Sequence, residues 1–179
     1  RWRTEELRHR AESDPLTGLA NRAGFELGLR TELASASAAG QGLALVFIDL
    51  DRFKPVNDEY GHAVGDWLLK QVAVRLREQV RSHDLVARLG GDEFVIVLNG
   101  MGDAEVAARI GQKLVDALHR PFEHGELLLQ IGGSMGIACY PLHATVYEAL
   151  VHAADQAMYA AKQGGRGSCR VYDGAALNV

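Results

Sequence analysis

Apolar residues recur at the spacing of an amphipathic helix in three parts of the chain, and each part is predicted to be a helix packed on a core. The charged segment 1–12 lacks this pattern and is typical of the end of an exposed helix. Asn21 can cap the first periodic helix. The repeating apolar positions are Phe25, Leu29 and Leu33, then 64, 68, 72, 76 and 80, and finally Ala107, Ile110, Leu114 and Leu118.

A last helix is predicted after Thr145, because Thr145 and Glu148 have the spacing of a capping box. Its inward face is predicted to carry apolar residues and to end at the glycines of 164–167. The inward residues would be Val146, Ala149, Leu150, Ala153 and Ala157.

Strand-like runs lie between these helices. Leu43–Asp51 is apolar until its acidic end, which is typical of a buried central strand. Gly90 and Gly91 separate two further runs and predict a hairpin. Segment 54–66 is polar and is predicted to be a loop. Further strands are predicted at 126–131, at 134–140 with a break at Gly132-Gly133, and at 169–172, which gives one layered α/β domain.

Composition excludes several classes of protein. The 179 residues are 47% hydrophobic with 23% charged, which excludes a disordered chain. The longest apolar run, Leu43 to Ile48, is too short to cross a bilayer. A net charge of −4 argues against general nucleic-acid binding. Cys139 and Cys169 predict free thiols, and a start at Arg1 without a methionine leads us to expect a piece of a longer protein.

Two acidic segments are the candidates for chemistry. Asp49 and Asp51 end the apolar strand, and Asp92 and Glu93 follow the paired glycines. Alone, the second segment is equally consistent with a solvated turn. If the strand and the hairpin are neighbours, their carboxylates would form an oxygen site suited to Mg²⁺, with Mn²⁺ as a possible substitute.

Basic residues could complete a phosphate site beside these acids. Lys162 and Arg166 are four residues apart at the end of a helix and can reach one cavity, and Lys54 follows the strand. For an isolated lysine, an exposed charge without function is the simpler interpretation.

Several ordered blocks of sequence resemble the GGDEF domain of diguanylate cyclases. The similarity extends from Asp14 to Tyr172. The blocks are DPLTGLANR at 14–22, FIDLDRFKPVND at 47–58, GHAVGD at 61–66, RLGGDEF at 88–94, SMGIACYP at 134–141 and DQAMYAAKQGGRG at 155–167. Two positions depart from the usual pattern, with Gly167 in place of a common Asn and Arg52 in place of a common aromatic residue.

The resemblance implies a fold of the α+β class, with a five-stranded, mostly antiparallel sheet surrounded by helices, as in nucleotidyl cyclases and polymerase palms. It implies the reaction of two GTP to cyclic di-GMP and two diphosphates. It also divides the chain into the end of an upstream signalling helix or linker (1–12), the GGDEF domain (13–173) and a C-terminal tail or linker (174–179).

Roles for individual residues also follow from the resemblance. Asp49, Asp92 and the backbone carbonyl of Leu50 are expected to bind Mg²⁺, Glu93 to contribute to the metal site, and Asp92 to take the proton of the attacking hydroxyl. Asp51 could order the site without touching metal. Backbone N–H groups of Arg52, Phe53 and Lys54 would cradle the terminal phosphates, and Lys162 and Arg166 would neutralise phosphate charge.

Guanine recognition is expected from Asn57 and Asp66. A carboxylate can accept both the N1 and N2 donors of guanine, which adenine does not present together. Outside the resemblance, a loop turn for Asn57 and a helix cap for Asp66 would be the favoured interpretations.

Assembly and control are implied as well. Arg81 and Asp84 have the RxxD spacing of a product-inhibition site, where Arg81 could bind O6 and N7 of guanine. Because each domain is expected to bind one GTP, catalysis would need a homodimer. The expected surroundings are cytoplasmic, in a parent protein that could be membrane-anchored, with an upstream sensor and a possible downstream phosphodiesterase domain.

Other functions stay open on the sequence alone. The main alternative is a catalytically weak module that binds GTP or cyclic di-GMP and regulates a larger signalling protein. A pure dimerisation element would leave the acidic segments unexplained. A cyclase that makes a cyclic mononucleotide is disfavoured by Asp66 together with the RxxD spacing.

Overall fold

A five-stranded sheet runs through the middle of the domain, with helices on both faces, in the computed structural model, which describes residues 1–174. Part of the predicted tail, residues 175–179, lies outside the described residues. The strands are β1 (Leu43–Asp51), β2 (Leu85–Gly90), β3 (Glu93–Asn99), β4 (Phe122–His124), β5 (Leu127–Leu129), β6 (Gly132–Tyr140) and β7 (Cys169–Val171). The helices are α1 (Trp2–Glu12), α2 (Arg22–Ala39), α3 (Phe53–Tyr60), α4 (His62–Gln79), α5 (Ala104–His119) and α6 (Tyr147–Gln163).

The sheet order is β2-β3-β1-β6-β7, which places the most apolar strand at the centre. β1 pairs antiparallel with β3 and with β6, β2 pairs antiparallel with β3, and β6 pairs parallel with β7. The predicted α+β class with a mostly antiparallel five-stranded sheet is therefore confirmed.

Alternate residues of β1 enter two separate cores. Ala44, Val46 and Ile48 pack in the core formed with α3, α4 and α5. Leu43, Leu45 and Phe47 pack in the core formed with α2 and α6. Because both faces are covered, β1 lacks the polar alternation of a half-exposed strand, and the charges at its end are placed at the rim of the sheet.

Helix α2 begins as the sequence predicts. The side chain of Asn21 accepts a hydrogen bond from the Gly24 amide at 2.9 Å, and the buried face carries Phe25, Leu29 and Leu33. In contrast, α1 buries none of its residues against the domain.

Helix α6 lies unusually close to the sheet at Gly136. A methyl group on Gly136 would come within 2.0 Å of the Met158 amide nitrogen and 2.2 Å of the Ala154 carbonyl oxygen. This contact with the backbone sets the height of α6 above β6.

The predicted loop at 54–66 is wrong, because this segment contains α3 and the start of α4. Helix α3 buries only Phe53 and Val56 and is too short to show a helical repeat. Pro55 falls in its first turn, where the missing N–H costs no helical hydrogen bond.

The predicted capping box at Thr145 is also wrong. Helix α6 begins after Val146 without a side-chain cap, and Glu148 instead accepts a hydrogen bond from Arg30 at 3.0 Å. Val146 and Ala149, which were expected to face inward, are exposed.

The strand predicted at 126–131 is shorter than expected and lies outside the main sheet. Only Leu127–Leu129 is extended, and it pairs with β4 in a small sheet apart from the main one. The residues after it enter β6 at Gly132, so the glycine pair begins this strand and does not interrupt it.

Candidate active site

Three carboxylates meet where β1 ends against the turn between β2 and β3. Asp49 lies directly opposite Glu93 in the antiparallel register. The Leu50 amide donates to the carbonyl oxygen of Asp92 at 3.1 Å, which fixes the turn against the strand. The two acidic segments of the sequence therefore lie side by side, as the sequence predicts.

Asp49 has one satisfied oxygen and one unsatisfied oxygen. Its Oδ2 forms an ion pair with the ammonium group of Lys162 from the last turn of α6. Its Oδ1 is buried and has no hydrogen-bond partner among residues 1–174. A buried carboxylate oxygen without a donor is costly, and a cation or an ordered water would relieve that cost.

Burial and mutual repulsion raise the pKa values of the neighbouring acids. The pKa of Asp92 is raised by burial first and by the charge of Asp49 second. The pKa of Glu93 is raised by the same two causes, and the cation of Arg22 opposes the rise. The site thus concentrates negative charge that the protein alone does not neutralise.

These residues fit a magnesium ion better than a metal that needs a complete protein cage. Within residues 1–174, no three histidine, cysteine or acidic side chains are arranged as a ready metal cage. Mg²⁺ commonly takes one or two carboxylates and leaves its other positions to water and substrate phosphate. The free oxygen of Asp49 beside Asp92 suits that pattern.

Asp51 has a structural role in the site. Its buried carboxylate accepts hydrogen bonds from the hydroxyl of Ser134 at 2.9 Å and from the amide of Gly167 at 2.9 Å. It therefore ties the loop after α6 to the end of β1. The sequence indicated this ordering role for Asp51 but gave no sign of Ser134 as its partner.

The turn after β1 presents the start of α3 toward the same end of the sheet. Arg52 has a left-handed backbone (φ 63°), and α3 begins at the next residue. The first amides of a helix have no partner within the helix, so those of Phe53 and Lys54 are available to an anion. The Lys54 side chain itself is exposed.

The predicted base-binding residues lie on two consecutive helices. Asn57 is partly buried on α3, and Asp66 is exposed in the first turns of α4. A methyl group on Gly65 would come within 1.6 Å of the Asn57 Oδ1 atom. Gly65 therefore leaves the space that the Asn57 amide occupies.

The two basic residues that were predicted to reach one cavity separate in the structure, since Lys162 lies in the last turn of α6 and Arg166 lies in the loop after it. Lys162 contacts Asp49, whereas Arg166 lines a cavity together with Asp51 and Arg52. Both residues remain at the same end of the sheet, but they face different groups of side chains.

Arg81 and Asp84 bind one another in the loop after α4. The Asp84 side chain is almost wholly buried and accepts from the Arg81 amide at 2.9 Å, from the Arg81 guanidinium at 3.2 Å and from the Asn99 amide at 3.0 Å. Both oxygens of Asp84 are thus engaged with the protein.

A pair that the sequence did not single out joins the turn before α2 to the hairpin. Asp14 accepts from the Arg88 guanidinium at 3.0 Å, and Arg88 also donates to the carbonyl oxygen of Gly91 at 3.0 Å. Each residue stood in a recognised block, but their contact spans 74 positions. No local pattern could have paired them.

None of the helices in residues 1–174 combines the length and the apolar character that a membrane crossing requires.

Comparison with known proteins places this arrangement in a family. The family model described as diguanylate cyclase, GGDEF domain, matches residues 11–168. TpbB, a diguanylate cyclase of Pseudomonas aeruginosa, is 45% identical over 166 residues, which is 92% of this chain and 38% of TpbB. The chain thus spans well under half the length of this relative.

Solved structures agree with the sequence comparison. The GGDEF domain of TpbB superposes with a TM-score of 0.86 at 44% identity, over 90% of this chain and 95% of that one. The coiled coil and GGDEF domain of DgcB from Caulobacter crescentus, in complex with c-di-GMP, gives a TM-score of 0.85 at 29% identity, over 95% and 90% of the two chains. The fold described above is therefore a known one, and the chain belongs to the GGDEF family of diguanylate cyclase domains.

Proposed function

We propose that this domain condenses two GTP molecules into cyclic di-GMP with release of two diphosphates. In each half of the reaction, a 3′-oxygen bonds to the α-phosphorus of the other GTP, and the bond from that phosphorus to the diphosphate breaks. The buried, unpartnered oxygen of Asp49 beside Asp92 and Glu93 is the observation that carries this proposal.

The chain's own residues position the reactants. Asp49, Asp92 and the Leu50 carbonyl would hold Mg²⁺, with Glu93 beside them, and the ion would supply positive charge to the phosphates. Asp92 accepts the proton of the 3′-hydroxyl.

Binding of the nucleotide follows from the remaining residues. Amides at the start of α3 donate to the terminal phosphates, and Lys162 and Arg166 balance their charge. Asn57 and Asp66 bind the guanine edge. A site built around these donors would reject adenine, since adenine leaves the carboxylate unpaired.

Two domains must face each other, because one site binds one GTP and the product joins two. At low concentration, we expect the rate to rise more steeply than linearly with the concentration of domain. The upstream helix and sensor of the parent protein would control the dimerisation of the two domains.

Product inhibition is proposed at Arg81 and Asp84. Because Asp84 is engaged with Arg81 and Asn99, binding of product guanine would require Arg81 to turn outward. We expect Arg81→Ala to weaken inhibition by cyclic di-GMP without removing synthesis.

The decisive experiment incubates the domain with GTP and Mg²⁺ and identifies the nucleotide products by chromatography and mass spectrometry. We expect cyclic di-GMP from the wild type, at least about 100-fold less from Asp49→Asn, and an unchanged rate from Asp58→Asn, an exposed acid on α3. Bound but unconverted GTP would instead support the regulatory module, and a cyclic mononucleotide would overturn the proposed product.

A further inference from the structure

The ammonium group of Lys162 lies against a carboxylate that is expected to bind the metal. It forms an ion pair with Oδ2 of Asp49, with 27% of the lysine side chain and 15% of the aspartate side chain exposed. Within residues 1–174, no other lysine or arginine lies within ion-pair distance of Asp49, Asp92 or Glu93. Lys162 is therefore the cation that these three acids share most directly.

Asp49 cannot serve a divalent ion and this ammonium group equally well. Both oxygens of the carboxylate are bonded to the same carbon, so an ion on the unpartnered Oδ1 would lie close to the ammonium group on Oδ2. Like charges repel more strongly where burial reduces the screening by water. A metal ion and the Lys162 ammonium group are thus expected to compete for the same carboxylate.

The backbone that carries Lys162 is fixed, whereas its ammonium group can move. α6 is held close to β6 at Gly136, and the amide of Gly167, just beyond the helix, donates to Asp51 at 2.9 Å. The lysine side chain has a long flexible stem and is only partly buried. Rotation of this stem can take the charge away from Asp49 without displacing the helix.

We propose that Lys162 and the divalent ion are alternative partners of Asp49, and that the lysine passes to the phosphates of GTP as the ion binds. This inference rests on the proposed function, because that function supplies the metal and the nucleotide. An ion that binds alone must displace the ammonium group and leave it without a carboxylate. When the nucleotide binds with the ion, its phosphates give the ammonium group a new anionic partner. The exchange therefore makes metal and nucleotide bind better together than apart.

The first test measures binding of Mn²⁺ to the whole domain without nucleotide, from the electron paramagnetic resonance signal of free Mn²⁺ at constant pH. We expect Lys162→Met, which keeps the apolar stem and removes the charge, to lower the dissociation constant at least about tenfold. Lys162→Arg keeps a cation and should stay within about threefold of the wild type. Lys113→Met makes the same change as Lys162→Met in an exposed residue of α5 and should have no effect.

Thermal unfolding distinguishes this exchange from a purely structural ion pair. In a chelator, Lys162→Met leaves Asp49 beside Asp92 without a cation, so Tm should fall. In saturating Mn²⁺, the same variant should gain more in Tm than the wild type, because a ligand that binds more tightly stabilises the folded state more. An equal gain in the two proteins, or Mn²⁺ binding that is no tighter in the variant, would overturn the inference.

A non-hydrolysable GTP analogue tests the transfer of the lysine to phosphate. At saturating Mn²⁺, we expect Lys162→Met to bind the analogue at least about tenfold more weakly than the wild type, although it binds the ion alone more tightly. Effects of opposite sign follow only if the lysine leaves Asp49 for the nucleotide, so an unchanged affinity for the analogue would overturn the transfer. Neither experiment measures cyclic di-GMP, and the proposed function is judged separately by its own product assay.

Discussion

The carboxylate of Asp14 and the guanidinium of Arg88 lie 3.0 Å apart, with only 12% and 13% of their side chains exposed. Asp14 also accepts from the amide of Thr17 at 2.9 Å and from its hydroxyl at 2.7 Å. Arg88 continues the chain of contacts to the carbonyl oxygen of Gly91. The segment where α1 enters the domain is thereby joined to the turn that carries Asp92.

We predict that Arg88→Gln lowers the free energy of unfolding by about 2–3 kcal/mol, because it leaves the largely buried Asp14 without its cation. Urea denaturation measures this. In the Arg88→Gln background, Asp14→Asn should lower the free energy of unfolding by less than it does in the wild type. Strictly additive losses would show that the two residues do not stabilise the fold through one another.

Gly65→Ala is predicted to raise the KM for GTP by about tenfold with little change in stability. The added methyl group would displace the Asn57 amide, while alanine is the better helix former by about 1 kcal/mol. Steady-state kinetics and thermal unfolding give the two values. In an Asn57→Ala background the same substitution should leave KM unchanged, and a further rise there would contradict the mechanism.

Asp92→Asn is predicted to stabilise the domain at pH 7 when divalent ions are chelated. Because the pKa of Asp92 is raised in the folded state, ionisation of this group destabilises the fold above the usual aspartate range. Below that range Asp92 is protonated whether folded or unfolded, so the gain should vanish near pH 3.

Calorimetric scans at both pH values test this, with an expected rise of about 1–2 °C in Tm at pH 7. Asp58→Asn, which removes an exposed carboxylate, serves as the control. A lower Tm for Asp92→Asn at pH 7 would show that the charge of Asp92 is compensated by the protein.

Gly167→Asn is predicted to be tolerated and to stabilise the fold by about 0.5 kcal/mol. Gly167 has φ 59°, and an added Cβ would meet no atom of the described part of the chain within 4 Å. Asparagine accepts this conformation and has less freedom in the unfolded chain. Gly167→Val should lose stability instead, because a β-branched residue resists positive φ. Equal effects in urea denaturation would refute the conformational argument.

The central strand and the meeting of the acidic segments could be predicted because they follow from periodicity over many residues. The first six residues of β1, Leu43 to Ile48, are apolar up to Asp49, and the glycine pair specifies the neighbouring hairpin. Both patterns lie within short stretches of sequence, and the structures that they predict are compatible with each other.

The start of α6 and the state of Asp84 could not be predicted, because distant partners decide them. Glu148 bonds to Arg30, which is 118 positions away, and thereby leaves the cap that local spacing favours. Asp84 accepts from the Asn99 amide at the far end of β3. Only the folded arrangement of the sheet brings these groups together.

Gly136 has a consequence for every attempt to transplant or redesign this catalytic centre. The backbone of α6 touches β6 where glycine has no side chain, and Lys162 lies about one helical turn beyond Met158 on the same helix. Replacing Gly136 with alanine would push α6 away from β6 and move Lys162 away from Asp49. The distance between the Lys162 ammonium group and Asp49 thus depends on the missing Cβ of Gly136, a residue that takes no part in the chemistry.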